Sequence, residues 1–233
     1  MQKIGKIAAL FVAAILLVVA TVFGTMAYLQ DTDTNTNTFT VGKVIISMTE
    51  TNVDGKDALG ADNSSEARDI ANEYHVVPGE TYTKDPTIVV EGNSEPAYVY
   101  MTIDLDGYTA MAAALPEASF GSYYTDGILD LGVFCNLDTT DWDACGAKVD
   151  GNSAQYRFVY KNVVDADAAN LSLTPLFTEF TIPDTGITND NISAFSGMTL
   201  TAKAYAIQSS GFADYNAAWS AGFGNNVENF DIN

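Results

Sequence analysis

A strict two-residue alternation in the segment AYVYMTIDLDGY most constrains the fold of this chain. One side of an extended segment would carry only apolar residues, namely Val99, Met101, Ile103 and Leu105. The other side would carry tyrosine, threonine and aspartate. This period is that of a β-strand with one buried and one exposed face. The sequence therefore predicts a half-buried strand here.

Similar short runs recur along the chain, in KVIISM, PTIVVEG, AQYRFVYKNVV, PLFTEFTIP and LTAKAYAIQ. They are separated by VDGKD, VPGE, EGNSEP, VDGNS and PDTG, whose Gly, Asn, Asp and Pro residues favour turns. Strands separated by turns, without alternating long helices, predict an all-β fold, an antiparallel jelly-roll-like β-sandwich over residues 43–233. Short helices are expected in NSSEARDIANEY, TAMAAALPEA and GFADYNAAWSAGF.

The N-terminus has the pattern of an export signal. MQKIGK is basic, residues 7–23 are apolar apart from one threonine, and GTMA consists of small or modest residues. This order is typical of a signal peptide helix, here residues 1–27, with cleavage between Ala27 and Tyr28. The alternative is an uncleaved anchor, which would be the chain's only link to a membrane.

The charge of the chain excludes one class of partner. Acidic residues outnumber basic ones by 30 to 10, and the net charge is −20. Nucleic acid binding needs clustered Lys and Arg, so nucleic acid is not an expected partner. Lys3 and Lys6 lie in the leader, so its removal leaves 8 basic residues against 30 acidic ones, a net charge of −22. Such a surface favours solubility.

Directly after the leader, oxygen-bearing side chains recur at every second position, at Asp31, Asp33, Asn35 and Asn37. This spacing opens a calcium-binding EF-hand loop, but the sixth position should be glycine and is Thr36. The twelfth should be a bidentate glutamate and is Gly42. No dedicated metal site is predicted, although weak calcium association with the acidic surface remains open.

The sequence contains no recognisable catalytic motif. His75 is the single histidine, so the two-histidine zinc protease motif is excluded, and no G-x-S-x-G segment occurs. We expect His75 at a strand end or turn. No enzymatic activity and no cofactor are predicted.

Cys135 and Cys145 are the only cysteines. In an exported protein, two cysteines ten residues apart could form a disulfide that closes a small loop. Free thiols are the alternative, and the sequence leaves both open.

Four segments together resemble the TasA and camelysin family. They are GTMAYLQDTDTNTNTFTVGKV, VVPGETYTKDPTIVVEGNSEPAYVYMTI, LTPLFTEFTIP and LTAKAYAIQSSGFADYNAAW, in this order. The resemblance implies a secreted jelly-roll subunit of fibres in the extracellular matrix of a bacterial biofilm or at the cell surface. It also implies export through a SipW-type signal peptidase, with copies of itself and other matrix proteins as partners.

The resemblance further implies donor-strand exchange, in which residues 28–42 leave their own domain and complete a sheet of a neighbouring copy. The subunit-binding residues would be Leu29, Asp31, Thr32, Thr34, Phe39, Val41 and Gly42. The pattern is compatible, because threonine at every second position favours an extended chain. Leu29, Phe39 and Val41 would anchor it. The alternative is a solvated linker.

Two other functional classes remain open. The chain could be a monomeric surface adhesin or binding module. It could also be a surface protease, because camelysin carries that label within the family, but the sequence supplies no site for proteolysis.

Overall fold

Antiparallel β-sheets are the main regular structure of the described residues. The structure, a computed structural model, describes residues 43–53, 68–69, 72, 74 and 77–223. In these ranges the regular secondary structure is mostly β-strand with a few short helices, so the predicted all-β class is confirmed. No helix in the same ranges is both long and apolar enough to span a membrane. The predicted signal peptide helix and the segment 28–42 lie outside them.

Numbered along the chain, the strands are β1 (Ile46–Thr51), β2 (Arg68–Asp69), β3 (Thr81–Thr83), β4 (Thr87–Val90), β5 (Ala97–Asp106), β6 (Tyr124–Thr125), β7 (Ile128–Leu129), β8 (Trp142–Asp150), β9 (Ser153–Tyr160), β10 (Leu171–Ser172), β11 (Glu179–Thr181) and β12 (Thr199–Gln208). The α-helices are α1 (Tyr108–Ala114), α2 (Glu117–Phe120) and α3 (Tyr215–Phe223). Three 3-10 turns, Gly121–Tyr123, Leu131–Val133 and Ile192–Phe195, complete the described elements.

Two four-stranded sheets dominate the described part of the chain. The long sheet has the order β12-β5-β9-β8, and the short sheet has the order β10-β4-β1-β2. Strand β5 pairs with β12 along its full length, from Ala97 opposite Gln208 to Asp106 opposite Thr199. Strands β8 and β9 are joined by a two-residue turn in which Gly151 has φ 59°. A positive φ at the first loop position is typical of a type II′ hairpin turn, which suits the twist of paired strands.

The two large sheets share one hydrophobic core. Val99, Met101, Ile103 and Leu105 on β5 are each 0% exposed, as their alternation predicts. They belong to the same cluster as Ile88 and Val90 on β4, Tyr82 on β3 and Phe180 on β11. We call this cluster the main core.

The opposite face of β5 is also covered, so the prediction of a half-buried strand is wrong at its centre. Tyr100 is 1% exposed and Thr102 is 0% exposed. Helix α3 accounts for the burial of Tyr100, because Trp219 packs on its ring at a centroid distance of 4.9 Å. The Tyr100 hydroxyl also donates a hydrogen bond to the Tyr215 carbonyl, at 2.5 Å.

The expected helices have mixed outcomes. Helices α1 and α2 form in TAMAAALPEA, and α3 forms in GFADYNAAWSAGF, so both are confirmed. The described part of NSSEARDIANEY contains strand β2, so a helix there is wrong at Arg68 and Asp69. Arg68 explains the strand, because its guanidinium donates to the Thr49 carbonyl at 2.7 Å and to the Asp85 carbonyl at 2.9 Å. These bonds hold the segment against β1.

Candidate subunit interface

Strand β12 forms a long, regular edge of the long sheet. Among the described residues, β5 is its only neighbour, and the pairing of its ten residues contains no bulge. In an antiparallel strand, every second residue directs its N–H and C=O groups away from the paired neighbour. An unpaired edge of this kind can accept another strand.

Apolar side chains continue from this edge to strand β1. Ile46 and Met48 on β1, and Ala202, Ala204 and Ala206 on β12, are partly buried and pack against the main core. Some Cα atoms of β1 and β12 approach within 8 Å, yet the two strands belong to different sheets. We call these five residues the seam. The seam is an apolar junction between the β12 edge and β1.

The opposite edge of the long sheet, strand β8, has features that oppose strand addition. Its pairing with β9 shifts register between Ala144 and Gly146. Two of its exposed positions are charged, Asp143 and Asp150, and Lys161 Nζ lies 3.5 Å from Asp143 Oδ1. Bulges and charges are the usual protection of an edge strand against unwanted pairing. Of the two edges, β12 is therefore the better acceptor.

The first described residues reach the domain beside the end of β12. The Lys43 carbonyl accepts a hydrogen bond from the Glu95 N–H at 3.0 Å. The next residue, Pro96, accepts one from the Ser209 N–H at 2.7 Å, directly after Gln208 ends β12. Lys43, the first described residue, therefore lies near one end of the β12 edge.

An aromatic cluster closes the outer face of the long sheet. Trp219 packs on Tyr100, Tyr205 and Phe223, and the Arg157 guanidinium lies 4.8 Å from the Trp219 ring centroid. Burial raises the pKa of Tyr100 and lowers the pKa of Arg157. A cation over an indole face is favourable, and this contact helps Arg157 to be accommodated. The cluster attaches α3 to the sheet.

The disulfide considered between Cys135 and Cys145 is not formed, because both side chains are free thiols. Cys135 is buried in the main core, whereas Cys145 lies at the β8 bulge and packs against the aromatic cluster. Of the two alternatives left open by the sequence, the structure has the free thiols, in two different hydrophobic clusters. Burial raises the pKa of both thiols, that of Cys145 to about 11, with Arg157 partly opposing the shift at Cys145.

The predicted subunit-binding segment cannot be placed against this edge, because it lies outside the described residues. The same holds for His75, for the oxygen-bearing residues after the leader, and for the cleavage and strand residues Ala27, Tyr28, Leu29, Asp31, Thr32, Thr34, Phe39, Val41 and Gly42. Within the described ranges, no three His, Cys, Asp or Glu side chains are grouped so that they could hold a metal ion.

One polar cluster was missed by the sequence interpretation. Glu50 on β1 is 6% exposed, and its Oε2 atom lies 2.7 Å from Lys84 Nζ. The sequence did indicate that Glu50 points inward, because Glu50 follows Ile46 and Met48 at two-residue spacing on the same strand face. A charged side chain at an inward position needs a buried partner.

Comparisons with models of protein families, with curated proteins and with solved structures found no match to this chain. We therefore infer its function from its sequence and geometry.

Proposed function

We propose that the chain is an exported structural subunit that assembles into extracellular fibres of a biofilm matrix. The domain would be a jelly-roll-like β-sandwich. Subunits would join by donor-strand exchange, with residues 28–42 of one copy added to the β12 edge of the next. The proposed partners are copies of the chain and other matrix proteins.

The observation that carries the proposal is the edge of β12, which pairs only with β5 among the described residues, together with the seam. Main-chain groups on such an edge would supply hydrogen bonds to an added strand, and neighbouring apolar side chains would select its register. The seam offers a surface for Leu29, Phe39 and Val41. Both edge and seam belong to the described domain.

The length of the segment also suits this role. At about 3.3 Å per residue, fifteen extended residues span about 50 Å, whereas the ten residues of β12 span about 33 Å. Residues 28–42 could therefore cover the edge of a neighbour and still reach their own domain at Lys43.

Export would precede assembly. A SipW-type signal peptidase would cut between Ala27 and Tyr28, which frees the new N-terminus to leave its own domain. The leader would be the only contact with a membrane, and the mature protein would be secreted.

The test compares mature protein, residues 28–233, with a form that lacks residues 28–38. Negative-stain electron microscopy and sedimentation velocity should show fibres that grow with concentration for the first and monomers for the second. A Thr34→Pro variant should lose assembly, because proline cannot donate to a strand ladder. Its matched control, Thr34→Val, should retain assembly, because valine favours strands.

Fibres formed equally well without residues 28–38 would contradict donor-strand exchange. Mature protein that stays monomeric at every concentration, but attaches to a glycan or protein surface, would favour the adhesin instead. Proteolysis by purified protein would favour the camelysin-like alternative.

A further inference from the structure

A buried lysine, a buried glutamate and a partly buried asparagine meet where β1 approaches the β3–β4 connection. Lys84 and Glu50 are 8% and 6% exposed, and their Nζ and Oε2 atoms lie 2.7 Å apart. The other carboxylate oxygen of Glu50, Oε1, accepts a hydrogen bond from Asn72 Nδ2 at 2.9 Å. One carboxylate thus contacts both an amine and an amide nitrogen.

The amide of Asn72 is held in a defined orientation. Its Nδ2 atom also donates to the Thr51 carbonyl at 3.1 Å, while its Oδ1 atom accepts from the Val53 N–H at 2.6 Å. The assignment of the two amide atoms follows from these partners, because acceptors face Nδ2 and a donor faces Oδ1. A short N–H contact polarises the carbonyl and would stabilise negative charge that develops on Oδ1.

An aromatic ring also lies beside the Lys84 amine. The Lys84 Nζ atom lies 5.6 Å from the centroid of the Tyr74 ring. Its charge also opposes the rise in the pKa of Cys135 that burial causes. The Tyr74 hydroxyl donates to the Thr83 carbonyl at 3.0 Å, which holds the ring beside the amine. Little water competes for the amine here, and fixed orientation favours reaction between neighbouring groups.

We propose that Lys84 and Asn72 form an intramolecular isopeptide bond, with Glu50 as the proton-transfer group. The bond would join Lys84 Nζ to Asn72 Cγ. It would tie the segment that contains Asn72 to the β3–β4 connection.

The reaction balances without any external reagent. Glu50 takes a proton from the Lys84 ammonium through Oε2, and the neutral amine attacks Asn72 Cγ. The new C–N bond forms while negative charge develops on Oδ1 beside the Val53 N–H. Glu50 returns this proton to the departing Nδ2, so that the C–N bond of the amide breaks, and then takes the second proton of the attacking nitrogen, which becomes a neutral amide N–H. Ammonia leaves with that second proton as ammonium, nothing is oxidised or reduced, and the Glu50 carboxylate is regenerated.

The first test is the intact mass of purified mature protein whose N-terminus has been determined. We expect a mass lower by one ammonia than the sequence requires, unchanged by a thiol reductant. Because cyclisation of an asparagine alone also releases ammonia, the bond must then be located by digestion. Cleavage after Glu66, Glu73, Glu80 and Glu91 should leave residues 67–73 covalently attached to residues 81–91.

Variants identify each role. Lys84→Arg keeps the charge but removes the amine nucleophile, so its protein should have the full mass, whereas the control Lys161→Arg should still lose ammonia. Asn72→Asp should lose one water instead, which identifies the leaving group. Glu50→Gln should stay at full mass or convert at least tenfold more slowly.

Wild-type protein at its full mass would overturn the proposal, whether or not any variant folds. A mass lower by one water, with Lys84 linked to Glu50, would overturn the assignment of Asn72. Because the bond lies within one domain, it is independent of fibre formation: a cross-linked protein that never assembles would contradict only the proposed function.

Discussion

A charge in the seam should block assembly while leaving the domain folded. Ala202 is partly buried and faces the main core side of β12, whereas its neighbour Thr201 is exposed on the other face. In a free subunit, the carboxylate of an Ala202→Glu variant could still reach water past the seam. Once a donor strand covers the seam, that carboxylate would lose its hydration.

The size of the effect follows from the cost of neutralising the carboxylate. An ordinary glutamate has a pKa of about 4.3, so protonating it at pH 7 costs about 3 to 4 kcal/mol. Since each 1.4 kcal/mol changes an equilibrium about tenfold, the critical concentration for fibres should rise roughly 10² to 10³-fold. At pH 5 the same cost is only about 1 kcal/mol, so most of the defect should disappear.

The assay is the protein concentration left in the supernatant after fibres have been sedimented, measured at pH 7 and pH 5. Thr201→Glu carries the same charge on the opposite face and should assemble like wild type at both pH values. It faces Asp104 across the strand pair, so its cost to the fold, about 0.2 to 1 kcal/mol, is checked separately by urea unfolding. A critical concentration for Ala202→Glu within threefold of this control would refute the role of the seam.

Three further outcomes concern the fold and are measurable by urea unfolding. Trp219→Ala should lose about 3 to 5 kcal/mol, because a nearly buried indole is removed from an aromatic cluster, and the fluorescence of Trp142 reports the transition. Gly92→Ala should lose about 1 to 3 kcal/mol, since a Cβ there would lie 2.6 Å from a carbonyl oxygen of a neighbouring loop, whereas Gly121→Ala meets nothing within 4 Å and should be neutral. Burial raises the pKa of Cys145 from 9.0 to about 11, so its contribution to stability is complete below pH 9 and is lost as the pH rises to 11. Between pH 9 and pH 11, Cys145→Ala should therefore lose less stability than wild type. Equal losses in the two proteins would contradict the raised pKa.

The interior strands were predictable because one face of each packs against the hydrophobic core. Strand β5 has one face against the main core, so its alternation of apolar residues is visible in the sequence. Strand β8 was missed for the converse reason. Only Trp142 at its start is buried, and the bulge between Ala144 and Gly146 interrupts the two-residue period. An exposed edge strand leaves little hydrophobic signal to detect.

Features that join distant parts of the chain could not be predicted from local patterns. Tyr100 is buried because Tyr215 and Trp219, more than one hundred residues later, pack on it. The contact between Glu50 and Asn72 likewise depends on how the segment after β1 returns to that strand. The sequence places Glu50 on the inward face, but only the tertiary structure supplies its partners.

Variants of the buried ion pair between Glu50 on β1 and Lys84 distinguish a purely structural role from a chemical one. A buried ion pair is often no better for stability than apolar side chains of similar volume, whereas removing one partner costs about 3 to 5 kcal/mol. Lys84→Met alone should therefore destabilise the protein strongly. If the pair is only structural, the double variant Glu50→Leu with Lys84→Met should recover most of that loss. If the isopeptide bond is the reason for the pair, the double variant should stay well below wild type, because closing the loop between residues 72 and 84 is worth about 3 kcal/mol in the chain-entropy model. The wild-type protein could instead have lost one ammonia while the double variant is equally stable. That result would show that the bond forms without contributing to stability.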